Sequence, residues 1–252
     1  MTSPSVRLHI ALEQATRGKS AMGADSAVFR QLAAVLEGSG WSPDTFDLAD
    51  EPDRRTQEPF QAAAFEKAVA GAGFSALPRL RRQRSPAYEF ATGLLAQSRL
   101  SPTLDFGQLP VPDLAGAFAL SGALCELFRP VYAAVSFRDP EAAEPLPGRI
   151  SSWRLVHRYG FESVPPRCYV GPELLGNFDL PALRALGVDV ALTDWGAVRL
   201  DAMKDPWAAP FGRLSAQLQR LTHYFAEQGL MGDYSRALVK KPGTNWMPAA
   251  GS

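Results

Sequence analysis

The sequence predicts an α+β protein, a largely antiparallel sheet or sheets flanked by amphipathic helices, and three stretches carry that prediction. Val6, Leu8, Ile10 and Leu12 alternate with polar positions in the two-residue period of a half-buried strand. Val188, Val190 and Leu192 run into Asp194-Trp195-Gly196, and Val198 and Leu200 alternate out again, which is the pattern of a hairpin. Phe211, Leu214, Leu218, Leu221 and Phe225 step by three and four residues, as one face of a long helix requires.

The other elements follow in order. After the first strand, a linker through Gly18, Lys19 and Gly23 reaches Asp25 and Ser26, either of which suits a helix start. Phe29, Leu32, Val35 and Leu36 then form one stripe, ended by Gly38 and Gly40. A short strand around Phe46 leads into an acidic loop. The Ala-rich stretch Phe60 to Ala72, with Phe65 and Val69 four apart, predicts a second helix closed by Gly71 and Gly73. Residues 86–107 hold one or two strands between Pro86 and Gly107. Asp113 stands before an apolar helix through Leu114, Phe118, Leu124 and Phe128 that Pro130 stops, and Val131 to Phe137 reads as a buried strand. Asp139 to Gly148, with three prolines and three acids, is expected as an exposed loop. A strand around Arg167 to Val170 and a short helix capped by Asp179, with Pro181 in its first turn and Gly187 at its end, precede the hairpin. The organisation expected is an N-terminal half over 1–108, a C-terminal half over 109–240 packed on it, possibly as one domain, and an extended tail over 241–252 that orders only if Trp246 finds a pocket.

With 252 residues the chain can bury a core without disulfide or metal. Lys plus Arg and Asp plus Glu are 26 each, so no net field draws in nucleic acid or an anionic membrane. The N-terminus shows no secretory signal, and no window approaches the ~20 apolar residues of a membrane span; a cytoplasmic location is the expectation. Cys125 and Cys168 form no C-x-x-C pair, so they read as reduced core thiols or, in an oxidising compartment, as a bridged pair.

Chemistry is hard to place. His9, His157 and His223 are the three histidines, and none has a His or Cys three or four residues away. There is no Gly-x-Ser-x-Gly, Walker A or Gly-x-Gly-x-x-Gly pattern. Carboxylate pairs such as Asp201 and Asp205, or Asp44 and Asp47, read as solvated surface groups. No catalytic, metal or cofactor residue is assigned, and the chain reads as a binder more than an enzyme. Two charge features stand out. Asp44, Asp47, Asp50, Glu51 and Asp53 lie together with Phe46 and Leu48 and no base, a surface suited to a basic partner or simply a solvated loop. Arg79, Arg81, Arg82 and Arg84 crowd into six positions, which suits phosphate contact or a charge-guarded edge strand.

The opening order of strand, helix and acidic loop, Tyr169-Val170-Gly171-Pro172 before a short helix, the Val188 to Leu200 hairpin and the closing long helix together resemble the cytoplasmic immunity proteins of polymorphic toxin and type VI secretion systems, of the kind paired with nuclease toxins. The resemblance implies a non-enzymatic inhibitor of a cognate toxin encoded by the adjacent gene, in an oligomeric state the sequence leaves open. Its interface would combine the acidic loop (Asp44, Phe46, Asp47, Asp50, Glu51, Asp53) with the aromatics Trp41 and Trp195. On that expectation, reversing the charge of Asp47 and Asp50 would alter association and barely change folding. The rival readings are a hydrolase or transferase using His157 with a nearby carboxylate, and an accessory subunit of a secretion machine.

Overall fold

Backbone pairing joins ten strands into one antiparallel ladder in the computed structural model, which describes residues 5–13, 26–48, 57–72, 78–95, 99–138, 156–235 and 240–247. In chain order these are β1 (Ser5–Glu13), α1 (Ser26–Gly38), β2 (Thr45–Asp47), β3 (Glu58–Pro59), α2 (Ala62–Ala72), β4 (Arg79–Arg82), β5 (Tyr88–Leu95), β6 (Arg99–Pro110), α3 (Leu114–Phe128), β7 (Tyr132–Arg138), α4 (Val156–Tyr159), β8 (Arg167–Val170), α5 (Leu180–Ala185), β9 (Asp189–Leu192), β10 (Val198–Asp201) and α6 (Phe211–Glu227). The strand order is β3-β2-β4-β5-β6-β1-β7-β8-β10-β9. The first strand is therefore central: β1 pairs β6 of the N-terminal half on one side and β7 of the C-terminal half on the other. An α+β architecture with an antiparallel sheet is what the periodicities predicted.

Register shows how the core is divided. Phe46, Leu80, Phe90, Leu104, Ile10, Val135, Arg167, Asp201 and Asp189 are successive cross-strand partners and so share one face. In the N-terminal half this face is apolar and lies under the helices. Phe46 meets Phe65 of α2 at 5.4 Å between ring centroids, and Phe90 meets Phe128 of α3 at 6.3 Å. In the C-terminal half α3 still covers this face, Phe118 meeting Phe137 at 5.3 Å, and other helices cover the opposite one. Tyr132, which alternates away from Val135, touches Phe161, and Phe161 touches Phe225 of α6 at 5.0 Å. Leu214, Leu218, Leu221 and Phe225 are all buried, each worth about 1.5–3 kcal/mol of transfer free energy. The period of α6 is thus the period of its contact.

Local chemistry sets the ends of elements as the sequence suggested. The Asp179 carboxylate accepts from the Ala182 N–H at 3.0 Å to cap α5, and β9 pairs β10 from Val198 opposite Leu192 to Asp201 opposite Asp189. Gly196 takes φ +85° in the hairpin turn, a conformation costly for any residue with a Cβ. Asp113 stands before α3 as expected, yet its side chain makes no capping bond.

Three expectations need correction, and a fourth, conditional one is met. β4, with its arginines, is not an edge strand, because β2 and β5 flank it. Val111–Phe128, with mean hydropathy 1.4 over 18 residues, has the length and composition of a membrane span, closer to that limit than the sequence reading allowed. Its α3 part instead buries Leu114, Phe118, Leu124 and Phe128 against the sheet. Asp47 and Asp201 are not solvated carboxylates: they are 4% and 1% exposed. Trp246 also finds its pocket. It is 4% exposed, packs on Phe161 and Phe178 at 5.9 and 6.2 Å, and donates its indole N–H to the His157 carbonyl at 3.3 Å. Residues 240–247 are thus pinned to the body of the protein; a side chain at Gly243 would collide with the Gly229 carbonyl. The Asp139 to Gly148 loop, Trp153 and Leu155 lie outside the described residues.

Cys125 and Cys168 are free. Cys125 lies on α3 beside Arg167 and Tyr169, whereas Cys168 lies beside Tyr132 on the opposite face of the sheet. Burial pushes both thiols far up, which suits inert core residues.

Candidate interaction surface

Alternation on β4 sends Leu80 into the core and Arg79 and Arg81 to the opposite face, which in this half carries no helix among the described residues and where Glu89 of β5 and Asp105 of β6 continue the row. Arg81 donates to Asp47 at 2.5 Å and to Glu89 at 3.2 Å, and Arg79 lies 3.4 Å from Glu89. Arg84 pairs with Asp44, whose carboxylate also accepts the Gln83 N–H at 2.7 Å and the Arg84 N–H at 3.1 Å. Desolvation raises the Asp44 pKa, but these backbone bonds and the neighbouring arginines outweigh it and hold the carboxyl below its ordinary value. Arg82 lies over the Trp41 ring at 5.8 Å and donates to the Gly40 and Ser42 carbonyls at 3.1 Å each. The acidic run and the arginine cluster, two separate features in sequence, are one another's partners across β2 and β4. A groove of about 600 Å³ crosses this face between Arg81, Glu89, Thr103 and Asp105.

The residues proposed for the interface divide accordingly. Trp41 and Phe46 are 8% and 2% exposed, so they serve the core: Trp41 packs on Phe106 at 5.2 Å, and its carbonyl accepts the Tyr88 hydroxyl. Asp47 is shut in by Arg81, while Asp44 is partly exposed and held by Arg84. Asp50, Glu51 and Asp53 lie outside the described residues. Trp195 is partly buried at the tip of the β9–β10 hairpin, beside the Glu126 carboxylate. Asp194 next to it is exposed, and Leu192, just before the turn, is 78% exposed, the most exposed large apolar side chain among the described residues. Sequence reasoning missed Leu192 because its alternation with Val190 marked it as an inward residue.

The histidine reading gains one partner. Glu13, at the end of β1, contacts Nδ1 of His157 on α4, and the two are 2% and 6% exposed. A histidine oriented by a carboxylate is the arrangement of a general base. Here both side chains are buried, and the Trp246 indole bonds to the His157 backbone carbonyl. His223 pairs at the surface with Glu227 one turn on, at 3.1 Å, and His9 pairs in register with Asp105 and Ser136. A second groove, of about 700 Å³, runs along α6 between Leu186, Met203, Lys204, Arg213 and Arg220.

No family model matches the chain, and no curated protein matches it. Among solved structures the fold is similar to that of the Pseudomonas aeruginosa T6SS protein PA0821, with TM-score 0.57 and 12% sequence identity over 96% of this chain and 79% of that one. At that identity the likeness is one of fold.

Proposed function

We propose that this chain is an immunity protein of a type VI secretion system, which binds a cognate toxin, a nuclease effector, and neutralises it in the cytoplasm without turnover. The observation that carries the reading is the fold likeness to a type VI secretion protein over nearly the whole chain. Two features support a binding role. The polar sheet face and the hairpin tip present side chains to solvent from rigid strands, as a preformed docking surface requires. The Glu13–His157 pair, the arrangement most like a catalytic one, is enclosed.

Co-expression tests it. The product of the adjacent gene, expressed alone, should arrest growth; the two expressed together should grow normally, and the tagged chain should retain that product through purification. Arrest that the chain does not relieve would remove the immunity reading. A hydrolase or transferase centred on His157 has the Glu13 contact in its favour, and in that case His157→Ala would abolish protection while the complex still formed. An accessory subunit of the secretion machine would instead be retained by structural components and protect against nothing.

A further inference from the structure

An open sheet of ten strands has two edges, and they are built differently. β3 is two residues long, Glu58 and Pro59, and the proline offers no N–H to an incoming strand. β9 is twice that length, Asp189-Val190-Ala191-Leu192, with no proline or lysine, and its register with β10 is unbroken from end to end. Among the described residues no strand pairs with its outer side. Leu192 stands 78% exposed on it. The one charge on this edge, Asp189, is tied to Arg199, and the rest of it is apolar with no proline or bulge against chance pairing.

We propose that β9 is the docking edge of this protein, where an extended, basic segment of its protein partner adds as an eleventh strand; the identity of that partner as a toxin rests on the reading above. The charge around the edge selects the occupant. Asp194 is exposed in the adjoining turn, and Glu126 of α3 lies close enough to it that partial burial and the Asp194 carboxylate push the Glu126 carboxyl up. Asp189, with its side chain 45% exposed, shares Arg199 with the buried Asp201. Cationic side chains on the incoming strand would meet Asp189 at one end of β9 and Asp194 beyond the other, and an apolar one would cover Leu192 and Val190. A second copy of this chain fits less well. Antiparallel pairing about Ala191 would set Leu192 against Val190 but would bring each Asp189 opposite Thr193, beside Asp194 of the other copy.

The experiment measures binding of the purified product of the adjacent gene to wild type, Leu192→Asp and Leu192→Arg, with hydrogen exchange of residues 189–192 in the free and bound states. Leu192 is exposed, so all three should melt together. The inference expects Leu192→Arg to bind at least about tenfold more weakly than wild type, Leu192→Asp to fall between them, and the β9 amides to gain protection on binding. Wild-type binding with equal affinity for both variants and no new β9 protection overturns the edge and leaves the immunity reading standing. Failure of wild type to bind, together with failure to protect growth, overturns the immunity reading and this inference with it. A homodimer that Leu192→Arg dissolves overturns the choice of occupant.

Discussion

Each half of the sheet holds a cross-strand Arg–Asp pair with a sequence separation of 34, and the two are covered differently. Arg81–Asp47 lies on the face that carries no helix among the described residues, with side chains 14% and 3% exposed. Arg167–Asp201 is 4% and 1% exposed; Arg167 donates to both Asp201 oxygens and to the Phe118 carbonyl at 2.9 Å, and its guanidinium lies 4.9 and 5.2 Å from the Phe118 and Trp207 rings. The same chemistry is sealed inside one half and forms part of the surface of the other. What separates them is the covering layer: α3 and Trp207 close over the second pair, while among the described residues no helix closes over the first.

The comparison makes graded predictions. Arg167→Met leaves Asp201 buried with only Arg199 at 3.2 Å, and should cost about 3–5 kcal/mol in urea denaturation. Replacing Asp201 by Leu in the same chain should recover much of that loss, since a buried pair often does no better than apolar residues of similar volume. If Arg167→Met costs under about 1 kcal/mol, the pair is not sealed. Leu218→Ala, which opens a cavity under the helix that covers the C-terminal half, should cost about 2–5 kcal/mol. Asp47→Lys should cost less, about 1–3 kcal/mol, because Arg81 keeps Glu89 and can turn towards water. This replaces the sequence expectation that reversing Asp47 leaves folding untouched; equal stability of variant and wild type would restore it. Asp44→Asn should be the mildest, about 0–1 kcal/mol at neutral pH. Its sign is fixed by the depressed Asp44 pKa: the stability it adds is complete above the ordinary carboxylate value and is lost as pH falls through the lower folded value. The wild type should therefore lose its margin over Asp44→Asn in acid, and a margin that grows instead would contradict the assignment.

Periodicity made much of this legible. The stripe of α6, the β9–β10 hairpin and the first strand follow from which residues alternate, because burial on one face is what the alternation encodes. The site was less legible, for a definite reason. Asp47 and Arg81 look like members of two opposed charge blocks until β2 and β4 are known to be neighbours, and no local pattern states that adjacency. Phe46 looked like an exposed aromatic among acids, yet its alternation with Asp47 sends it into the core. Leu192 erred the other way: the pattern placed it inside, and the end of the sheet left it outside. The place of β1 between β6 and β7 was equally hidden, since a strand's neighbours are set by long-range pairing.

The proposed neutralisation of a toxin by occupancy is tested most directly by a titration of activity. On that proposal the product of the adjacent gene, purified and assayed on its own substrate, should lose activity in proportion to added chain and reach its floor at a fixed stoichiometric ratio, with a Kd of about 1 nM or below, on the order of −12 kcal/mol. Full loss of activity at a small fraction of that ratio would mean turnover, and undiminished activity at a large excess would mean that the chain is not the toxin's inhibitor.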